Sequence, residues 1–237
     1  MNRGKVGDDV NLSPDYLVTL LPALWSGLLV TLKLFASTLI FSLPLGLIVA
    51  LCSIVRFWPL KALAKIYVWA FRGTPLMLQL VFFFYGVGIL VNGTFLSFLI
   101  LDRFGAAVLT FTLNYAAYFA EIYRAGIQSI DSGQYEAAKT LGFTRTRTMF
   151  KIIIPQAISR IIPPVCNETI TLVKDTALVY VIAITELSKA ARDAANRDTN
   201  TASYLLAALI YLFITFVLTV VYHKLEKRFS RHEREAI

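Results

Sequence analysis

The chain carries the stretch QYEAAKTLGFTRTRTMFKIIIP at residues 134–155, between hydrophobic segments long enough to cross a bilayer. Its first part, from Glu136 to Leu141, favours a helix, and Gly142 can adopt the left-handed conformation that ends a helix. A second helical run is predicted from Thr146 to Ile154, and Pro155 is expected to stop it because proline cannot continue a helix. By the positive-inside rule, the basic residues of the stretch place it in the cytoplasm; they are Arg145, Arg147 and Lys151. We therefore interpret residues 134–155, called the elbow below, as a compact cytoplasmic docking surface.

The composition is that of an integral membrane protein. Of the 237 residues, 57% are hydrophobic and only 16% are charged, and the mean hydropathy is +0.65. These values are typical of chains with several apolar spans. The net charge of +8 does not indicate nucleic-acid binding, because the basic residues gather in loops between apolar runs, where they face anionic lipid.

Apolar segments predict five transmembrane helices, preceded by an N-terminal interfacial helix over Tyr16–Trp25. The predicted spans are residues 28–54, 75–91, 106–124, 165–187 and 204–221. The Lys and Arg residues of the connecting segments place the N-terminus outside the cell and the C-terminus inside it. The sequence therefore predicts an all-α integral membrane fold in which residues 1–237 form a single transmembrane domain.

The prolines and charges at the ends of the third and fourth spans carry further expectations. Pro163 and Pro164 are expected to restart the chain after the elbow. Glu121 and Arg124, three residues apart, are expected to pair on one helix face. A mixed-charge external loop, to which Asn196–Asn200 belongs, is predicted to follow, and in it basic residues offset acidic ones. The charged residues of that loop are Glu186, Lys189, Arg192, Asp193, Arg197 and Asp198.

Polar side chains within the predicted spans are the candidates for contact with a substrate. A charge at bilayer depth costs on the order of 3 kcal/mol, so such residues are expected to face a bundle interior or a wet cavity. Glu168 and Asp175 are seven residues apart, which places them on nearly one helix face, roughly 10 Å apart. Two carboxylates that face a pathway suit an ammonium group together with a cationic side chain. The candidate substrate-binding residues are Asn114, Tyr118, Glu168, Asp175 and Gln79.

A structural role is the alternative for each of these residues. The two acids can instead pair with Lys174, or with basic residues of a second subunit, and hold helices together. Gln79 can form a hydrogen bond between helices without lining any pathway.

The chain has no motif for chemistry of its own. It lacks the G-x-x-x-x-G-K-[ST] loop that binds nucleotide phosphates, and it lacks H-E-x-x-H and paired-cysteine motifs for metals. We therefore expect a non-enzymatic subunit without a metal or cofactor of its own.

Three stretches of the sequence resemble a known family. Glu136-Ala137-Ala138, Gly142 and Ile152-Ile153-Ile154-Pro155 match the EAA loop of ABC-importer permeases, E-A-A-x3-G-x9-I-x-L-P, except that Ile154 replaces the usual leucine. FRGTPLMLQL at residues 71–80 and LVKDTALVYVI at residues 172–182 resemble the polar amino acid branch of that family. The resemblance extends from about Tyr16 to Leu225.

The resemblance implies a type I ABC importer permease in the bacterial cytoplasmic (inner) membrane. In that family the elbow fits a groove on the ATP-hydrolysing subunit, so the expected coupling residues are Glu136, Ala137, Ala138, Gly142, Arg145 and Pro155. The implied partners are two ATPase subunits, which bind the ATP, and a second permease chain, identical or a close sibling. A periplasmic or extracellular binding protein would deliver the amino acid. Asn167-Glu168 followed by Lys174-Asp175 is similar to permeases for basic amino acids.

Two other classes of membrane protein stay open at this point. An ion-coupled secondary transporter would also place acidic residues in mid-membrane, but it would need no ATPase. A scaffold or sensor subunit would carry the elbow without a polar pathway.

Overall fold

A computed structural model describes residues 13–97 and 100–234, and these residues fold into helices joined by short turns. The helices are α1 (Pro14–Ile54), α2 (Trp58–Gly73), α3 (Leu76–Val81), α4 (Val87–Val91), α5 (Arg103–Gln128), α6 (Ser132–Thr140), α7 (Arg145–Thr148), α8 (Ile154–Asp175), α9 (Leu187–Asp198) and α10 (Ala202–Arg234). Two π turns, Phe82–Gly86 and Met149–Ile153, and a 3₁₀ helix, Thr176–Ile182, extend them. The predicted all-α fold is confirmed.

Among the described residues, three helical segments are long and apolar enough to cross a membrane: Pro14–Ile54, Arg145–Ile182 and Ala202–Phe229. The broken pair Trp58–Gly73 and Leu76–Val91 counts as a fourth if it forms one span. Helix α5 coincides with the predicted third span, but its polar side chains lower its hydropathy. The count of five spans and the orientation of the chain therefore stay predictions.

Helix α1 is longer than the sequence suggested. It runs for 41 residues without a break, so the prediction of an interfacial helix separate from the first span is wrong. The glycine between the two predicted segments, Gly27, is buried, and a Cβ there would lie 2.9 Å from the Glu186 backbone. Gly27 thus serves close packing rather than a turn, and the helix continues through it.

Prolines do not interrupt α8. The helix runs through Pro155, and Pro163 and Pro164 lie inside it, so the predicted stop at Pro155 and restart at Pro163 are both wrong. The π turn Met149–Ile153 comes directly before α8. This turn contains Lys151, whose carbonyl would accept a hydrogen bond from residue 155 in a regular α-helix, but proline has no N–H to donate. The wider π turn also relieves the clash between the Pro155 ring and that carbonyl.

The mixed-charge segment after the fourth span is a helix, α9, and not a loop. Its alanines lie three and four residues apart, and they form one buried face while Arg192 and Asp193 are exposed. The loop prediction was wrong because alanine adds little hydropathy although it is the strongest helix former. The buried residues of α9 are Leu187, Ala190, Ala191, Ala194 and Ala195.

The described residues group into two compact units. The first unit takes its residues from Met1–Thr38, Leu76–Thr110 and Thr171–Phe216, and the second from Leu39–Pro75, Phe111–Ile170 and Val217–Ile237. In the first unit, the buried face of α9 packs with Leu20 and Leu24 of α1 and Ala207 of α10. In the second unit, a buried cluster forms around Ile130, Ile153 and Ala157.

Glu186 joins three helices of the first unit. Its side chain is fully buried, and it caps α9 by accepting hydrogen bonds from the backbone N–H groups of Ser188 and Lys189, both at 2.8 Å. The same carboxylate accepts bonds from the hydroxyls of Tyr211 in α10 at 2.7 Å and Thr31 in α1 at 3.5 Å. The sequence predicted that Glu186 lies in a mixed-charge loop where basic neighbours offset its charge, and that prediction is wrong.

Replacement of Glu186 by alanine is expected to lower the stability of the chain by about 3 kcal/mol, because α9 loses its cap and Tyr211 loses a buried acceptor. Thermal unfolding of the purified chain in detergent measures this as a fall in Tm of several degrees. Asp193→Ala is the matched control, since Asp193 is exposed on the same helix and pairs with Lys189; its effect should stay within about 0.5 kcal/mol. Equal Tm values for the two variants would contradict this role of Glu186.

Candidate functional site

The first limb of the elbow is α6, whose two ends are both capped. Asp131 accepts a hydrogen bond from the Gly133 N–H at 2.7 Å. At the other end, the Gly142 N–H donates to the Lys139 carbonyl and the Phe143 N–H donates to the Ala138 carbonyl, both at 3.0 Å. This pair of bonds is a Schellman motif, and it needs the left-handed residue that Gly142, with φ of +76°, supplies. The predicted helix stop at Gly142 is confirmed.

The second limb of the elbow is α7, which begins three residues after Gly142. Thr144 caps α7 and accepts a hydrogen bond from the Arg147 N–H at 3.3 Å. The Arg147 guanidinium lies 4.7 Å from the centre of the Phe143 ring, a cation–π contact across the corner. The corner between the limbs is therefore fixed by hydrogen bonds and a ring contact.

The elbow is anchored to the helices on either side of it within the second unit. The Gln156 amide of α8 donates to the Gln134 side chain of α6 at 3.2 Å. Next to it, Arg160 of α8 donates to the Ser129 carbonyl beyond α5. The buried cluster of Ile130, Ile153 and Ala157 lies under these contacts. These contacts fix the elbow to α5 and α8, and packed interiors of this kind resist deformation.

Most of the predicted coupling residues are exposed. Ala138 is buried and holds α6 in place, whereas the other five are exposed: Glu136, Ala137, Gly142, Arg145 and Pro155. Two large apolar side chains that the sequence analysis did not single out, Leu141 and Phe150, are 74% and 66% exposed. A surface that mixes exposed apolar and basic side chains is suited to a protein partner.

Asn114 and Tyr118, of the predicted substrate set, lie one turn apart on α5. Asn114 is buried, and its amide donates to the Phe71 carbonyl of α2 at 3.1 Å. The Tyr118 ring lies 5.3 Å from the Arg72 guanidinium. These two side chains thus contact the end of α2.

Arg72 also approaches Glu121 of α5, at 3.9 Å. Glu121 has a closer partner in Arg124, at 2.5 Å, which confirms the predicted pair. The polar residues of α5 therefore form a continuous row from Asn114 to Arg124.

The acids of the predicted set lie on α8. Glu168 and Asp175 are half-buried, whereas their sequence neighbours Asn167 and Lys174 are exposed. This difference agrees with the expected separation of Lys174 from the face that carries the two acids. Gln79 is buried in α3. The first unit contains Gln79 and Asp175, and the second contains Asn114, Tyr118 and Glu168.

Long apolar helices that carry polar residues, joined by a capped and exposed elbow, define a multi-pass membrane transport protein. A family model described as "binding-protein-dependent transport system inner membrane component" matches residues 42–231. The chain belongs to this family of inner-membrane transport permeases. The resemblance that the EAA-type elbow indicated is confirmed.

Curated relatives match along most of the chain. The L-cystine transport system permease protein TcyB of Bacillus subtilis is 41% identical over 214 residues, which are 89% of this chain and 88% of that protein. The arginine transport system permease protein ArtQ of Bacillus subtilis is 38% identical over 225 residues, 94% of this chain and 100% of that protein.

A solved structure shares the fold. It is described as an amino acid ABC transporter with histidines, and it is 34% identical to this chain with a TM-score of 0.83. The match covers 92% of this chain and 100% of that chain. The predicted type I importer fold is confirmed, and neither a secondary transporter nor a scaffold is favoured.

Proposed function

We propose that this chain is the permease subunit of an ABC importer for polar amino acids, basic ones among them. The single observation that carries the proposal is the capped and exposed elbow, which continues into α8. That helix also bears two half-buried carboxylates, Glu168 and Asp175. The named relatives transport L-cystine and arginine, both of which carry ammonium and carboxylate groups.

The elbow supplies the contact with the energy source. Two cytoplasmic ATPase subunits would each receive one elbow, and the second elbow would come from another permease chain, identical or a close sibling. The exposed side chains of Leu141, Phe150 and Arg145 support such a docking surface. An external binding protein would deliver the substrate from the other side of the membrane.

ATP binding would draw the ATPases together and move the elbows. Because α6, α7 and the start of α8 are fixed to one another by the contacts described above, the motion would pass into α5 and α8 as a rigid displacement. The pathway would then open outward, and ATP hydrolysis would let it reopen inward. Such a cycle needs two states of the helices that the ligands bind with different affinity.

Carboxylates in the pathway would select the substrate. Glu168 and Asp175 lie two turns apart on α8, a spacing of roughly 10 Å. In the second unit, the Glu168 carboxylate would attract a cationic group of the substrate, and Asn114 and Tyr118 would contribute hydrogen bonds. In the first unit, Asp175 and Gln79 would play the same two roles. Desolvated opposite charges of this kind favour basic substrates over neutral ones.

Replacement of Gly142 by alanine tests the coupling. The left-handed backbone at Gly142 strains any residue with a Cβ by about 1–2 kcal/mol, so the corner should distort. Amino-acid-stimulated ATP hydrolysis by the reconstituted complex should fall about tenfold or more. Gly88→Ala is the control, because Gly88 has open space around it and no positive φ. Full stimulation in the Gly142 variant would contradict the coupling role, and uptake without any ATPase would indicate a secondary transporter.

Replacement of Glu168 by glutamine tests the substrate assignment. Loss of one negative charge should reduce arginine uptake about tenfold relative to glutamine uptake, equivalent to about 1.4 kcal/mol. Uptake of the two labelled amino acids by the same proteoliposomes gives the ratio directly. Asp193→Asn removes a carboxylate from the exposed face of α9 and should leave the ratio unchanged. An unchanged ratio in the Glu168 variant removes that residue from the site.

A further inference from the structure

Helix α2 has an unusual charge pattern. The sequence contains no Asp or Glu between Asp15 and Asp102, while α2 carries Lys61, Lys65 and Arg72. Its 16 residues extend about 24 Å, less than the roughly 30 Å of a bilayer core. On its own, α2 is therefore too short to cross a bilayer core.

The exposed side of α2 is strongly apolar. Leu63, Ile66 and Trp69 are all more than half exposed, and Trp69 is 76% exposed. A helix with such side chains beside lysines has the character of one that lies at the boundary between headgroups and acyl chains. Tryptophan is enriched at that depth because its ring is apolar and its N–H is polar.

A groove of about 400 Å³ opens beside this helix, within the second unit. It carries two cations, Lys65 and Arg72, which lie two turns apart on one face of α2. Trp69 lies between them along the helix and adds an aromatic side chain to the lining of the groove. The lining residues are Ser53, Lys65, Val68, Trp69, Arg72 and Gly73, and none of them is acidic.

The two cations are only weakly neutralised. Lys65 is exposed and makes no ion pair with any residue in the described ranges. Arg72 has its side chain 40% exposed, and its one ion pair, with Glu121 at 3.9 Å, is shared with Arg124, which lies closer to that acid. The groove therefore keeps a net positive charge next to an apolar surface.

We propose that this groove binds the phosphate of an anionic phospholipid, with its headgroup between Lys65 and Arg72 and its acyl chains along Trp69 and Val68. The charges select an anionic headgroup, and the apolar wall selects a lipid over a free phosphate ion. Arg72 also contacts Tyr118 and Glu121 of α5, so a bound lipid would stabilise the contact between α2 and α5. The proposal does not depend on which substrate the chain transports.

Lipid binding to the purified full-length chain in detergent, followed by native mass spectrometry, tests the proposal. Phosphatidylglycerol should bind in preference to phosphatidylcholine. Lys65→Gln should weaken phosphatidylglycerol binding about fivefold, the usual contribution of one basic residue near a membrane surface. Lys65→Arg should restore the binding, which shows that a loss reflects charge and not misfolding.

Lys61→Gln is the matched control, because it removes the same charge from the same helix outside the groove. Its effect should stay below about twofold. Equal losses in the Lys61 and Lys65 variants would overturn the site in favour of a general surface charge. Absence of any preference for phosphatidylglycerol would also overturn it. Displacement of the lipid by soluble glycerophosphoglycerol at comparable concentration would show that the groove binds a headgroup alone and would refute the lipid assignment.

Discussion

Hydrocarbon offers no hydrogen bonds to a peptide backbone, so every N–H and C=O group within a membrane must find its partner inside the protein. The helices of this chain follow from that constraint, and so do the devices at their interruptions. The π turn before Pro155 widens the helix where the proline cannot donate, and the helix continues. Where α9 begins, the Glu186 carboxylate caps two free N–H groups. At these two places the interruption is thus compensated where it arises.

Capping hydrogen bonds also fix the shape of the elbow, which the sequence places outside the spans. A short helix is marginal in water when it stands alone, since few bonds repay the cost of nucleating it. Capping hydrogen bonds at Asp131, Gly142 and Thr144 stabilise α6 and α7, which are short helices. Gln134, held by Gln156, and the isoleucine cluster below fix the elbow to α8 and α5. The result is a small surface fixed to two long helices rather than a loose loop between them.

Much of the fold could be predicted from residue pattern alone. Helix α5, the start of α10 and the stop at Gly142 agree with the predictions because apolar periodicity and a single glycine decide them locally. The course of α8 could not be predicted, because a proline usually ends a helix and the sequence does not reveal the π turn before Pro155. Helix α9 was missed because its buried face consists mostly of alanine, and the burial of Glu186 depends on Thr31 and Tyr211, which are distant in sequence.

The candidate site was predictable to a similar degree. The elbow residues formed a contiguous motif, and the structure places most of them on the surface. Leu141 and Phe150 escaped notice because exposure is a property of the folded elbow and not of the sequence pattern. The separation of Lys174 from Glu168 and Asp175 followed from helical spacing and agrees with their burial. The groove beside α2 had no signal beyond a run without acidic residues, since its lining joins Ser53 of α1 to α2.

The central claim is that the elbow docks on an ATPase. It is tested most directly by placing a photo-crosslinking amino acid at Leu141, which is 74% exposed, in cells that express the whole transport complex. Illumination should yield one covalent product that contains this chain and the ATPase subunit, and the same probe at Leu209 of α10 should not yield it. If the Leu141 probe captures no ATPase, or captures only a protein from the outer side of the membrane, the account is contradicted.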